Sequence, residues 1–262
     1  MRPLITSTAK TLSFYCLLQS AFFFGFFRVW LFPVNFLLLF FAVQLIFCLV
    51  IFLFLLKNTD LFYNIQTGKQ ETNVNAANKI TLFRITMLPF LVFLTLVSQN
   101  CGNSISAGPA LTIAFALTFV SDFLDGRVAK ARKLESYIGK ILDSASDYLL
   151  LGVCAVAFFY FKLLKPWLFT VIIIRLLLNA VVMLILFSVH RKLRPQTTPL
   201  GKTAIAVIMI LLVVEAAKPL GLPQWVDYIE PAAAVIIGVS MIDKLLYLIR
   251  GLQTKTEDAD QS

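Results

Sequence analysis

Apolar residues fall in eight runs along the chain, and polar and charged residues gather in the short segments between them. The runs are Thr11 to Phe27, Val34 to Leu56, Asn78 to Val97, Pro109 to Leu124, Tyr137 to Phe161, Trp167 to Val189, Thr203 to Ala216 and Glu230 to Ile249. A helix needs about 20 apolar residues to cross the hydrocarbon core of a bilayer, and only helices or closed barrels satisfy their backbone groups there. The pattern therefore predicts an all-α integral membrane protein with about eight transmembrane helices. The first two runs, joined at Pro33 and Asn35, read as a retained hairpin over residues 1–57, since Thr11 to Phe27 lacks the small-residue cleavage pattern of a signal peptide. Residues 58–77 are polar and read as a cytosolic linker, with a short interfacial helix in which Leu61, Phe62 and Ile65 share a face. A six-helix core follows over 78–252, and 253–262 reads as a disordered tail.

Composition agrees. Of 262 residues, 59% are hydrophobic, 25 are phenylalanine and only 14% are charged, which excludes an ordinary soluble domain. The net charge of +9 is spread over loops, with no basic arm interleaved with aromatics, so no nucleic-acid partner is expected. Loops on the N-terminal side of the predicted membrane, counted with Lys79 and Lys140 at the span ends that border them, hold 16 of the 23 Lys and Arg and the opposite loops hold 4, with Arg84, Arg175 and Lys244 deeper inside spans. By the positive-inside rule both termini face the cytoplasm, in a bacterial-type inner membrane. Cys16, Cys48, Cys101 and Cys154 show no C-x-x-C spacing, and His190 is the only histidine, so neither a zinc site nor a disulfide framework is indicated.

One stretch carries the candidate chemistry: SDFLDGRVAKARKLESYIGKILDSASD, Ser121 to Asp147. Asp122 and Asp125 are three residues apart, Asp143 and Asp147 four, so on helices each pair shares a face. Four carboxylates gathered at span ends repel one another, and a divalent cation with a preference for hard oxygen ligands relieves that repulsion. Gly126, Ala129 and Gly139 stand within about a turn of these carboxylates, and their small side chains would let a bulky ligand approach the helix backbones. The combination points to a pyrophosphate held by metal. The bland alternative makes the aspartates helix caps or surface partners of Arg127, Lys130, Arg132 and Lys133; acidic residues in membrane segments are costly and usually functional, which disfavours it for four.

The pattern D-x-x-D-G-x-x-A, then Gly139, then D-x-x-x-D resembles the signature of the CDP-alcohol phosphotransferases, membrane enzymes of phospholipid synthesis. The resemblance covers Asn78 to the last span. It implies that a hydroxyl attacks the β-phosphorus of a CDP-linked lipid and CMP leaves, with two divalent ions, Mg²⁺ or Mn²⁺, held by Asp122, Asp125, Asp143 and Asp147. Asp147 would also take the acceptor's proton. Gly126, Ala129, Lys130, Ser136 and Gly139 would border the CDP-lipid, together with Asn78, Thr81 and Arg84 of the N-x-x-T-x-x-R opening. Lys130 stands where the family has arginine; it keeps the charge but lacks the bidentate fork, and Arg127 and Arg132 are candidates to compensate.

The NKITLFRITMLP and LDGRVAKARK contexts are most similar to the phosphatidylglycerophosphate synthase branch, which implies CDP-diacylglycerol as donor and glycerol 3-phosphate as acceptor. Against it, Arg175-Leu176 stands where that branch commonly has Arg-Glu. Arg175, Arg194 and Lys202 are candidates for an acceptor phosphate, although Arg175 with Asn179 suits an interhelical hydrogen bond equally well. Inositol phosphate, and the branch joining CDP-choline or CDP-ethanolamine to diacylglycerol, stay open, and the resemblance implies a homodimer. A divalent-cation transporter is the non-enzyme alternative; it would place the aspartates near the bilayer midplane, not at span ends beside a basic loop.

Overall fold

The computed structural model describes residues 2–100, 104–131, 135–190, 199–218, 221 and 227–260. They form eight α-helices: α1 Arg2–Trp30, α2 Val34–Lys57, α3 Ala76–Asn100, α4 Ser104–Ala131, α5 Tyr137–Tyr160, α6 Pro166–His190, α7 Pro199–Ala217 and α8 Ile229–Asp260. Six are long and apolar enough to cross a membrane, namely α1, α2, α3, α5, α7 and Ile229–Ile249 of α8, while α4 and α6 hold the shorter apolar stretches Gly108–Asp122 and Pro166–Val182. The expected all-α, multi-pass architecture is what the chain adopts.

Contacts divide the chain into two compact units, Met1–Cys154 and Ala155–Ser262. This division runs through α5. In the first unit α1, α2 and α4 all pack on α3. The reason lies in the side chains: α3 is buried almost without interruption from Thr81 to Ser98, so it needs neighbours on every face. Phe23 of α1 stacks on Phe40 of α2 at 4.0 Å, and Phe90 and Phe93 of α3 meet that pair edge-on. A buried polar lock sits among them. Gln44 Nε2 of α2 donates to Gln19 Oε1 of α1, and Gln19 Nε2 donates to Thr86 Oγ1 of α3 at 3.0 Å. Interhelical bonds of this kind are worth about 1 kcal/mol each in hydrocarbon, and they fix register where apolar packing alone does not. The hairpin is thus built onto α3.

The segment expected as a linker is folded too. It starts with one 3₁₀ turn, Thr59–Leu61, and no interfacial helix follows. Phe62 is buried in the core while Ile65 is exposed, so they do not share a face. Asn64 diverts the chain: its Oδ1 accepts the backbone N–H of Gln66 at 2.9 Å and of Thr67 at 3.0 Å, and Gly68 supplies φ +67 to close the turn. At the other end, α8 continues to Asp260 through the segment expected to be disordered, because no residue between Gln253 and Asp260 breaks a helix.

In the second unit α6 and α7 pack on α8. Two polar clusters hold it: Arg175 Nε of α6 donates to Ser240 Oγ of α8 at 2.7 Å, and Lys218, Lys165, Glu215, Asp227 and Glu230 form a network of ion pairs.

Candidate active site

Two helices of the first unit bring the aspartates together. Asp122 lies near the C-terminal end of α4, and Asp143 and Asp147 lie on successive turns of α5, which starts at Tyr137. One carboxylate oxygen from each of the three lies within 4.8 Å of the others. The side chains of Asp125, Ala129 and Lys130, and the surroundings of Gly126, fall outside what the structure describes.

Arg84 of α3 points into the centre of this group. Its side chain is 0% exposed, whereas those of Asp122, Asp143 and Asp147 are 23, 49 and 15% exposed. Nη1 pairs with Asp122 Oδ1, and Nη2 lies 2.7 Å from Asp143 Oδ1 and 3.3 Å from Asp147 Oδ1. Nε donates to Ser146 Oγ at 2.9 Å, and the Ser146 hydroxyl in turn donates to the Asp143 carbonyl at 2.8 Å. Ser146 orients the guanidinium, and sequence reasoning did not single it out. The signal was available: Ser146 is three residues after Asp143 and shares its face.

Three carboxylates against one guanidinium leave an excess of two negative charges, turned toward the accessible side. Hard oxygen ligands with that excess charge suit a divalent cation. The donor set therefore fits a metal, which Asp122, Asp143 and Asp147 could hold between them.

A second constellation lies at the start of α5. Ser136 caps the helix, its Oγ accepting the Gly139 N–H at 3.1 Å, and Asn78 Nδ2 of α3 donates to the same oxygen at 2.9 Å. A Cβ on Gly139 would run into the Asn78 side chain and come within 2.8 Å of Ser136 Oγ. Glycine at 139 thus lets α3 and α5 approach, a different reason from the ligand access expected of it. Thr81 is buried on α3, and its Oγ1 donates to the Ala77 carbonyl at 3.2 Å. Of the acceptor candidates, Arg175 is engaged by Ser240, Lys202 is exposed on α7, and Arg194 lies outside the described residues.

Residues 74–242 match the CDP-alcohol phosphatidyltransferase family. With the aspartate pattern assembled on α4 and α5, and with the matched stretch covering more than half of it, the chain belongs to that family. It is 32% identical over 109 residues to a CDP-diacylglycerol--glycerol-3-phosphate 3-phosphatidyltransferase of Bacillus subtilis (strain 168), covering 38% of this chain and 56% of the relative. It is 33% identical over 141 residues to a cardiolipin synthase (CMP-forming) of Streptomyces coelicolor, covering 52% of this chain and 64% of the relative. A relative from Rickettsia typhi with the same name as the Bacillus protein is 30% identical over 78 residues, covering 30% of this chain and 41% of the relative. The aligned stretches span less than two thirds of the length of these relatives.

Proposed function

We propose that the protein transfers a phosphatidyl group from CDP-diacylglycerol to glycerol 3-phosphate and releases CMP. The observation that carries this reading is the convergence of Asp122, Asp143 and Asp147 from two helices, within the stretch that matches the family. Names among the relatives support the acceptor.

In the reaction the acceptor hydroxyl oxygen bonds to the β-phosphorus, the bond from that phosphorus to the CMP oxygen breaks, and the hydroxyl proton passes to a carboxylate. Asp147 is the residue assigned to that proton, and Asp122, Asp125, Asp143 and Asp147 are assigned to two Mg²⁺ or Mn²⁺ ions. Bound there, divalent ions would neutralise charge on the pyrophosphate and on the departing CMP. Arg84 holds the three carboxylates in place from beneath, so they are positioned before substrate arrives. Asn78, Ser136 and Gly139 fix the α3–α5 junction beside them. The lysine and arginine asymmetry of the loops supports a cytoplasmic position for this face.

A second reading replaces glycerol 3-phosphate by a lipid acceptor, phosphatidylglycerol. It is favoured by the Streptomyces relative, a cardiolipin synthase that aligns over the longer stretch. The test is CMP release from CDP-diacylglycerol by protein purified with Mg²⁺ or Mn²⁺, offered glycerol 3-phosphate, phosphatidylglycerol, inositol 1-phosphate, inositol and serine. Release with glycerol 3-phosphate that Asp143→Asn abolishes supports the first reading, and release with phosphatidylglycerol alone selects the second. No release with either glycerol-bearing acceptor would sink both.

A further inference from the structure

Residues 62–71 precede the stretch that matches the family, yet they are folded against the start of α5. Phe62 is 1% exposed and sits in a core cluster with Ile138 and Leu142 of α5. From that anchor the strap pairs with the residues just before α5. The Ile65 N–H donates to the Glu135 carbonyl at 2.9 Å, the Tyr137 N–H donates to the Tyr63 carbonyl at 3.1 Å, and Asn64 bridges Ser136. The Tyr63 and Tyr137 rings stack 5.3 Å apart at 11°. The strap closes on itself through Asn64 N–H to the Lys69 carbonyl and Glu71 N–H to the Phe62 carbonyl, so it is a rigid turn.

The first N–H groups of a helix have no partner within it. Here the strap satisfies that of Tyr137 and Ser136 Oγ satisfies that of Gly139. Asp143 and Asp147 follow Tyr137 by six and ten residues, about 9 and 15 Å along the helix axis. A helix moves as a rod over that length. Whatever seats its first turn therefore seats both carboxylates against Arg84, which stands on a different helix.

We infer that Tyr63 is a positioning residue for the metal-binding aspartates: through its stack on Tyr137 and its carbonyl bond to that residue's N–H, the strap sets where Asp143 and Asp147 stand. The inference rests on the metal-site reading above. Residues that orient metal ligands from behind typically cost 10–100-fold in metal affinity when removed.

The experiment measures Mn²⁺ binding to the purified full-length protein by the electron paramagnetic resonance signal of the free ion, without substrate, for wild type, Tyr63→Ala and Tyr63→Phe. Tyr63→Ala should bind Mn²⁺ about tenfold more weakly and need about tenfold more Mn²⁺ for half-maximal CMP release, with the rate at saturating metal within about twofold of wild type. Tyr63→Phe keeps the ring and should behave as wild type. A merely structural residue would lower the fraction of active protein without moving the metal dependence, and that result overturns the inference. If Tyr63→Ala does not fold, judged by its melting curve, Ile65→Pro takes its place, since it deletes the N–H that reaches Glu135, and it should shift Mn²⁺ binding in the same direction. Wild type that binds Mn²⁺ beside a Tyr63→Ala protein that binds it equally well overturns the strap's role alone. Wild type that binds no Mn²⁺ and releases no CMP overturns the site reading as well.

Discussion

Both compact units hold a cluster in which one cation meets three carboxylates, and the two clusters are built inside out relative to each other. In the first, Arg84 is fully buried and Asp122, Asp143 and Asp147 lie outward of it, 15 to 49% exposed. In the second, Glu215 and Glu230 are buried at 3 and 2%, while Lys218 and Lys165 cover them at 25 and 53%. Burial alone would lower the Lys218 pKa, but its hydrogen bonds to Glu230, Glu215 and Asp227 raise it overall, so the lysine stays charged. The same residue types thus give two outcomes. Anions on the outside of a buried cation form a surface that attracts a further cation, whereas the buried Glu215 and Glu230 already pair with the two lysines that cover them, and Asp227, 60% exposed, closes the edge of the network on Lys218. The first arrangement suits a reaction centre and the second suits a brace between α7 and α8.

The largest expected effect separates the two directly. Asp147→Asn should cut CMP release by about 10²–10⁴-fold, the usual contribution of general-base help, while CDP-lipid binding is largely kept. Glu230→Gln should leave turnover within about twofold of wild type; an equal loss in both variants would break the comparison. Next in size is Arg84→Met, which leaves three partly exposed carboxylates facing one another without their buried partner and should destabilise the metal-free protein by about 3 kcal/mol. Melting curves with and without Mg²⁺ would sharpen the point, because the ion should restore much of that loss here and none of it in Lys218→Met. Glu230→Gln should itself cost about 1–3 kcal/mol in thermal unfolding, since it strands two lysines from one buried carboxylate. Smallest is Lys165→Ala, an exposed end of the network, at under about 1 kcal/mol and further reduced in high salt. The Lys218 contribution should persist across neutral pH: a raised pKa keeps its stabilisation complete below the ordinary lysine value of 10.5, with loss only as pH rises through the folded value.

The membrane architecture was legible because its causes are local. Hydrocarbon forces each backbone group to find a partner within its own segment, so long apolar runs become helices whatever surrounds them. The spacing of Asp122, Asp143 and Asp147 was legible for the same reason, since three or four residues along a helix define a face without reference to any neighbour. The sequence by itself therefore determined the helices, the motif and the family it shares. Tertiary structure decided what those faces meet. Arg84 sits at least 38 residues from any of the aspartates it holds, Ser136 is 58 from Asn78, and Gln44 is 42 from Thr86. Nothing in local periodicity pairs such residues. The fold of residues 62–71 was hidden for that reason: their polar composition matches that of a free linker, and only packing of Phe62 and the backbone of Glu135 and Tyr137 ties them to the start of α5. Burial made the final distinction, because the same charged pairs bind outward ligands or close on themselves according to which partner faces water.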